Sequence, residues 1–132
     1  MATAANSRTV SLTMPAKAEY VVLARLALSA VCRLTPLGPD DVADLKLGIT
    51  EAAAVLVGTE PSSDPGSIGF AFALEDDRLV LDVEGPPDGI PSDGGDPDER
   101  ELAHAILRAT ADECDIGEHA VRIVKFLRPS GE

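Results

Sequence analysis

The chain has 132 residues and a formal charge of −12, from 23 acidic and 11 basic side chains. That length fits one domain with a real core, but without Trp, and with one Tyr and three Phe, the core must be built from Ala, Val, Leu and Ile. The charge argues against nucleic acid, which needs a basic patch, and disfavours anionic membranes; it suits a basic protein partner.

No apolar run approaches the roughly 20 residues of a membrane span, and the N-terminus lacks the charged start and apolar stretch of a signal peptide. A cytoplasmic chain is expected. Cys32 and Cys114 lie far apart with no CxxC pattern, so both read as small core residues rather than metal or redox groups. The two histidines make no zinc pattern.

Residues 9–14 alternate polar and apolar as a half-buried strand does, and Pro15 ends the run. Residues 17–34 carry Val21, Leu23, Leu26, Ala27, Ala30, Val31 and Leu34 at helical spacing, with Arg25 and Arg33 left for other faces. A second helix starts at Pro39-Asp40-Asp41, where proline and acids suit the unpaired N–H groups and positive dipole end of a first turn. It runs to about Val57, with Gly58 as its stop. Residues 59–66 are loop. Residues 68–74 and 79–83 are alternating strands joined by a hairpin at Glu75-Asp76-Asp77-Arg78. Residues 85–98, rich in Gly, Pro and Asp, form a long flexible acidic loop. A third helix spans about 98–113, with Leu102, Ala105, Ile106 and Ala109 on one face and Cys114 near its end. Two short strands follow, near Asp115 and over 121–127, turning at Gly117-Glu118-His119. This order predicts a single α+β domain over 1–132, a two-layer α/β sandwich with a mixed sheet and its helices on one face.

Several segments resemble one family. Met14-Pro15-Ala16-Lys17-Ala18-Glu19-Tyr20-Val21, Arg25-Leu26-Ala27-Leu28-Ser29, and Asp44-Leu45-Lys46-Leu47 through Glu51-Ala52 are similar in order and spacing to segments of the small anti-sigma-factor serine/threonine kinases of Gram-positive bacteria. These kinases sit within the Bergerat-fold (GHKL) ATPase group. Ala111-Asp112-Glu113-Cys114 and the stretch 121–127 resemble the family's closing helix and strand, so the likeness covers nearly the whole chain.

The family's nucleotide site rests on three short elements, and each is altered here. In Glu-Ala-x-x-Asn the acid is the general base and the Asn gives Mg²⁺ an oxygen one helical turn later. Glu51 matches the base, but Val55 stands at the Asn position and has no oxygen to offer a metal that demands oxygen ligands. In Asp-x-Gly-x-Gly the Asp accepts a hydrogen bond from adenine. Extending the Leu79, Leu81, Val83 alternation places it at Gly85, with only Gly89 agreeing cleanly; a shifted register brings Glu84 or Asp82 into the role. At the third element, a Gly-x-Gly opening the last helix, stand Glu101 and Ala103, and Glu101 sets a negative charge where phosphates would lie.

What the resemblance implies is therefore a regulator that acts by binding, with a vestigial pocket holding neither cofactor nor metal. Its implied partners are a sigma factor and a STAS-fold anti-anti-sigma factor competing for the first helix around Arg25, with Tyr20 and Ser29 beside it. Arg suits such a role because a planar guanidinium grips a carboxylate bidentately. The acidic surface and loop would complement a basic sigma-factor segment, and the family's homodimer is a further implied contact. The contrasting reading is a working ATP- and Mg-dependent serine/threonine kinase that phosphorylates the STAS-fold antagonist, with Glu51 as base.

Overall fold

The computed structural model describes residues 8–57, 66–85, 97–117 and 119–127. In chain order these form β1 (Arg8–Pro15), a 3₁₀ turn (Ala18–Tyr20), α1 (Val21–Cys32), α2 (Pro39–Val57), β2 (Ser67–Leu74), β3 (Arg78–Glu84), α3 (Pro97–Thr110), β4 (Glu113–Ile116) and β5 (Ala120–Phe126). The expected α+β sandwich is observed, with the sheet ordered β1-β2-β3-β5-β4.

Every pairing in that sheet is antiparallel, where a mixed sheet is expected from the element order. The reason lies in the crossover through α3. It brings β4 back in the same direction as β3, but β5 inserts between them and runs against both.

Period-two alternation sorts the strands into two faces. One carries Met14, Ile68, Phe70, Phe72, Leu79, Leu81, Val83, Val121 and Ile123, all buried in the core cluster with the inner faces of α1 and α2. Cross-strand register stacks them in rows, Phe70 beside Val83 beside Val121, and Phe72 beside Leu81 beside Ile123. Burying a side chain of this size is worth about 1.5–3 kcal/mol. The other face carries the row Ala71, Asp82, Arg122, Asp115, in which Arg122 grips Asp82 bidentately at 2.7 and 3.0 Å.

Two helices differ from expectation in the face they bury. In α1 the buried stripe is Val21, Ala24, Leu28, Val31 and Cys32, while Leu23 and Leu26, with Leu34 just past the helix end, point to solvent. Nearly every position of this helix is apolar, so two apolar stripes compete. The one with Ala24 at its centre wins, because a small residue lets the helix approach its neighbours closely. In α3, Ala103, Leu107 and Thr110 are buried, whereas Leu102, Ala105 and Ala109 are exposed. That helix also ends at Thr110, and the half-buried Cys114 lies in β4 rather than at a helix end.

At the crossing of α2 and α3, a Cβ on Gly48 would lie 3.1 Å from Thr110 Oγ1 and 3.4 Å from Ile123 Cδ1. Only glycine allows that approach without displacement. The start of α2 is tied to the sheet by Lys125, whose Nζ lies 3.3 Å from Asp41 and 4.0 Å from Asp112. Asp112 in turn accepts the backbone N–H of Phe126 at 2.7 Å. Among the described residues, no helix is long and apolar enough to cross a membrane.

Candidate functional site

α2 sets the geometry of the candidate site. Its buried side chains Leu45, Ile49, Ala52 and Ala53 turn one face to the sheet, which leaves Glu51 on the flank, half-buried. Among the described residues Glu51 has no hydrogen-bond or ion-pair partner. Val55, one turn further on the same flank, is also half-buried. The flank thus presents a single carboxylate beside an apolar side chain.

The end of β3 meets α2 one residue later. Gly85 continues the ladder, its N–H donating to the carbonyl of His119 at 2.7 Å, and so keeps the helix-facing sense of Leu79, Leu81 and Val83. A Cβ at this position would lie 3.1 Å from the Cβ of Leu56 and 3.3 Å from its carbonyl oxygen. Neither atom is the free end of a flexible chain. A side chain at position 85 would therefore start out pressed against Leu56.

The register alternatives fall on the other side of the sheet. Asp82 and Glu84 point away from the helices and, with Arg122 and Asp115, line a shallow basin of about 540 Å³ on the open sheet face. The sheet separates this basin from Glu51. Asp82 is held there by Arg122, and Glu84 is exposed. The structure thus brings Glu51 and Val55 together, sets Gly85 beside Leu56 next to them, and does not bring Glu84 to that group. Gly89 and most of the acidic loop lie outside the described residues. Glu101 is exposed on α3, and Ala103 is buried beneath it.

Measured against a magnesium nucleotide, the described residues do not fit. Mg²⁺ binds through near-octahedral oxygen ligands, and Val55 offers none beside Glu51. No group of three or more His, Cys, Asp and Glu able to hold a metal occurs among the described residues. At Gly85 a side chain able to anchor a base would press on Leu56.

On α1, Arg25 is exposed and Ser29 half-buried, while Tyr20, in the turn before the helix, is half-buried against the core. The three do not form one exposed patch, since only Arg25 stands fully in solvent. Two features escaped the sequence pattern. Leu56 as the neighbour of Gly85 depends on where β3 ends relative to α2, which no local signal carries. The exposed Val22, Leu23 and Leu26 had one signal: the rival stripe through Ala24 and Leu28. Burial pushes the thiol pKa of both Cys32 and Cys114 up, which keeps them as neutral side chains.

No family model matches the chain. It is similar to proteins named serine-protein kinase RsbW. That of Bacillus cereus (strain AH187) is 38% identical over 74 residues, covering 56% of this chain and 46% of the relative. That of Bacillus mycoides (strain KBAB4) is 36% identical over 74 residues with the same coverage. The chain thus spans about half the length of the curated relatives it matches. Among solved structures it resembles a Mycobacterium tuberculosis protein described as containing RsbU and RsbW domains. The TM-score is 0.68 at 19% identity, over 92% of this chain and 33% of that one. This last likeness shows the fold, and the resemblance read from the sequence is borne out.

Proposed function

We propose that this relative of the RsbW serine-protein kinases is a cytoplasmic anti-sigma-factor-like regulator that works by protein contact, its nucleotide pocket being vestigial. The observation that carries the reading is the packing of Leu56 against Gly85, directly beside the flank where Val55 replaces an oxygen ligand. A pocket that merely lacked a ligand could still take nucleotide weakly. One in which a side chain at the position matching the adenine anchor would press on a leucine of the neighbouring helix is a poorer site still.

Contact remains as the means of action. A sigma factor held through the surface of α1 around Arg25 would be kept from RNA polymerase, and a STAS-fold antagonist would release it by competing for overlapping surface. The homodimer implied by the resemblance belongs to this reading as a further contact between two copies. Partner exchange would then need no nucleotide.

The second reading, an active kinase, is favoured by one observation: Glu51 is retained, half-buried and without a partner among the described residues, as a general base would be. The two readings separate in thermal unfolding with and without millimolar Mg-ATP. A ligand at about 100 times its Kd stabilises by roughly 2.7 kcal/mol, which moves the midpoint of a domain this size by on the order of 10 °C. No shift is expected. A clear shift, with transfer of phosphate to a serine of the antagonist that is lost in Glu51→Ala, would overturn the contact-only reading.

A further inference from the structure

β1 leaves one edge of the sheet open. Ala16, just past the strand, donates its N–H to the carbonyl of Gly66 at 3.0 Å. The register is unbroken from Arg8 against Leu74 to Pro15 against Ser67, so the even-numbered residues of β1 bond to β2. Thr9, Ser11 and Thr13 therefore turn their N–H and C=O groups outward, where no strand lies among the described residues. Pro15 ends this row: it has no N–H, and its carbonyl accepts the N–H of Lys17 at 2.7 Å.

The two edges of the sheet differ in how they discourage a further strand. β4 is four residues long and carries Glu113 and Asp115; shortness and charge both blunt an edge. β1 has eight residues, no lysine or interior proline, and no bulge in its register. On its helix-facing side Val10 is 43% exposed and Leu12 half-buried, surface that one more strand would cover. The charge here also runs against that of the whole protein. The first 18 residues contain no Asp or Glu, although the chain carries −12. Arg8 at the start of β1 and Lys17 just beyond its end are exposed, and neither has an ion-pair partner among the described residues. In contrast, Arg78, Arg122 and Lys125 are all paired with aspartates.

We infer that the outer edge of β1 docks an extended segment of another protein, which joins the sheet as one more antiparallel strand. Its backbone bonds to Thr9, Ser11 and Thr13. Its side chains alternate, apolar ones covering Val10 and Leu12 and small or hydroxyl-bearing ones lying beside Thr9, Ser11 and Thr13. An acid stands at its C-terminal end, which antiparallel pairing places opposite Arg8. A second copy of β1 would answer the hydrogen bonds but not the charge, since it brings another Arg8 and no acid. In such strand addition the backbone bonds give affinity and the alternate side chains give specificity. The acid on Arg8 would fix direction and register. This goes beyond the contact reading proposed above and uses no residue of α1.

Amide hydrogen exchange of the full chain reads the edge directly. Val10, Leu12 and Met14 are expected to be protected, and Thr9, Ser11 and Thr13 to exchange fast. A peptide of about eight residues, alternating Val and Thr and ending in Glu, is expected to protect those three amides. Methylating the peptide amides that face β1 should weaken binding roughly tenfold or more, whereas methylating the alternate amides should not. Lys in place of the Glu should weaken binding, and Arg8→Glu should reverse that preference. Ser11→Pro removes an outward N–H without touching the ladder to β2, so it should abolish docking with melting unchanged. Protection of Thr9, Ser11 and Thr13 in the free protein would overturn the inference, because the chain itself, or a second copy where protection rises with concentration, would then hold the edge. So would no binding, equal binding of the two methylated peptides, or protection centred on another element. Mg-ATP stabilisation would sink the contact-only reading whatever the peptides do, whereas failure of the peptides leaves that reading standing.

Discussion

Gly85 and Leu56 stand so close that a single added carbon at position 85 would sit 3.1 Å from the Leu56 Cβ. One residue before Leu56 is Val55, and one turn before Val55 is Glu51. A strand end and a helix thus meet beside the flank where the resemblance places a nucleotide, and their contact is apolar.

Replacing Gly85 with aspartate puts back the residue type that the resemblance calls for and tests the closure directly. Overpacking against a backbone carbonyl and a Cβ that cannot rotate away should destabilise by about 1–3 kcal/mol, lowering the melting midpoint by several degrees. Leu56→Ala alone should also destabilise, by removing buried surface. Combined instead with Leu56→Gly, which removes the crowding Cβ that alanine would keep, Gly85→Asp should lose less than the sum of the single losses, because part of the crowding is relieved. Strict additivity in urea titrations would show that Leu56 does not occupy the space at position 85.

Gly48 makes the corresponding test of the fold away from the site. Alanine there gains up to about 1 kcal/mol of helix propensity, but its Cβ would press on the buried Thr110, whose hydroxyl donates to the carbonyl of Leu107 at 3.2 Å. A net loss on the order of 1 kcal/mol is expected. The loss should turn into a gain in a Thr110→Ala background, where the crowding oxygen is gone. Stabilisation by Gly48→Ala in the wild-type chain would contradict the close crossing of α2 and α3.

Thiol chemistry reports on the buried stripe of α1. Desolvation raises the pKa of Cys32, with the Lys46 ammonium opposing in part. A raised folded value means that the folded state favours the neutral thiol. The stability it contributes is therefore full below the ordinary thiol pKa of about 8.5 and declines as pH rises through the raised value. Urea midpoints should accordingly fall above that pH, and less so in Cys32→Ala. In native protein Cys114, half-buried in β4, should react with a disulfide reagent before Cys32, which is 3% exposed. Equal native reactivity of the two would mean that α1 buries a different face.

The match between sequence and structure varies by element for physical reasons. β2 and β3 were legible to within a residue because each alternates cleanly, and α2 because Pro39, Asp40 and Asp41 mark its start. α1 was legible as a helix but not in its orientation. Its periodicity supports two stripes, and only packing selects Ala24 and Leu28 over Leu23 and Leu26. α3 failed similarly: Leu102 is its most exposed large hydrophobic side chain, while the smaller Ala103 is buried.

At the candidate site the division is sharper. Glu51 and Val55 could be read directly, since a one-turn spacing on a helix is a local fact. Position 85 could be assigned to the helix-facing side by counting along β3. What fills the space there could not, because Leu56 and Gly85 are 29 positions apart and meet only once α2 has been laid across the sheet.

By itself the sequence determined the elements, their order, the acidic balance and the placing of Val55 one helical turn after Glu51, for all of these follow from local spacing and residue chemistry. The tertiary structure alone decided which face of α1 is exposed, that β5 splits β3 from β4 into an all-antiparallel sheet, and that Leu56 packs closely against Gly85. Each of these depends on contacts between distant segments, where close packing lets one side chain exclude another.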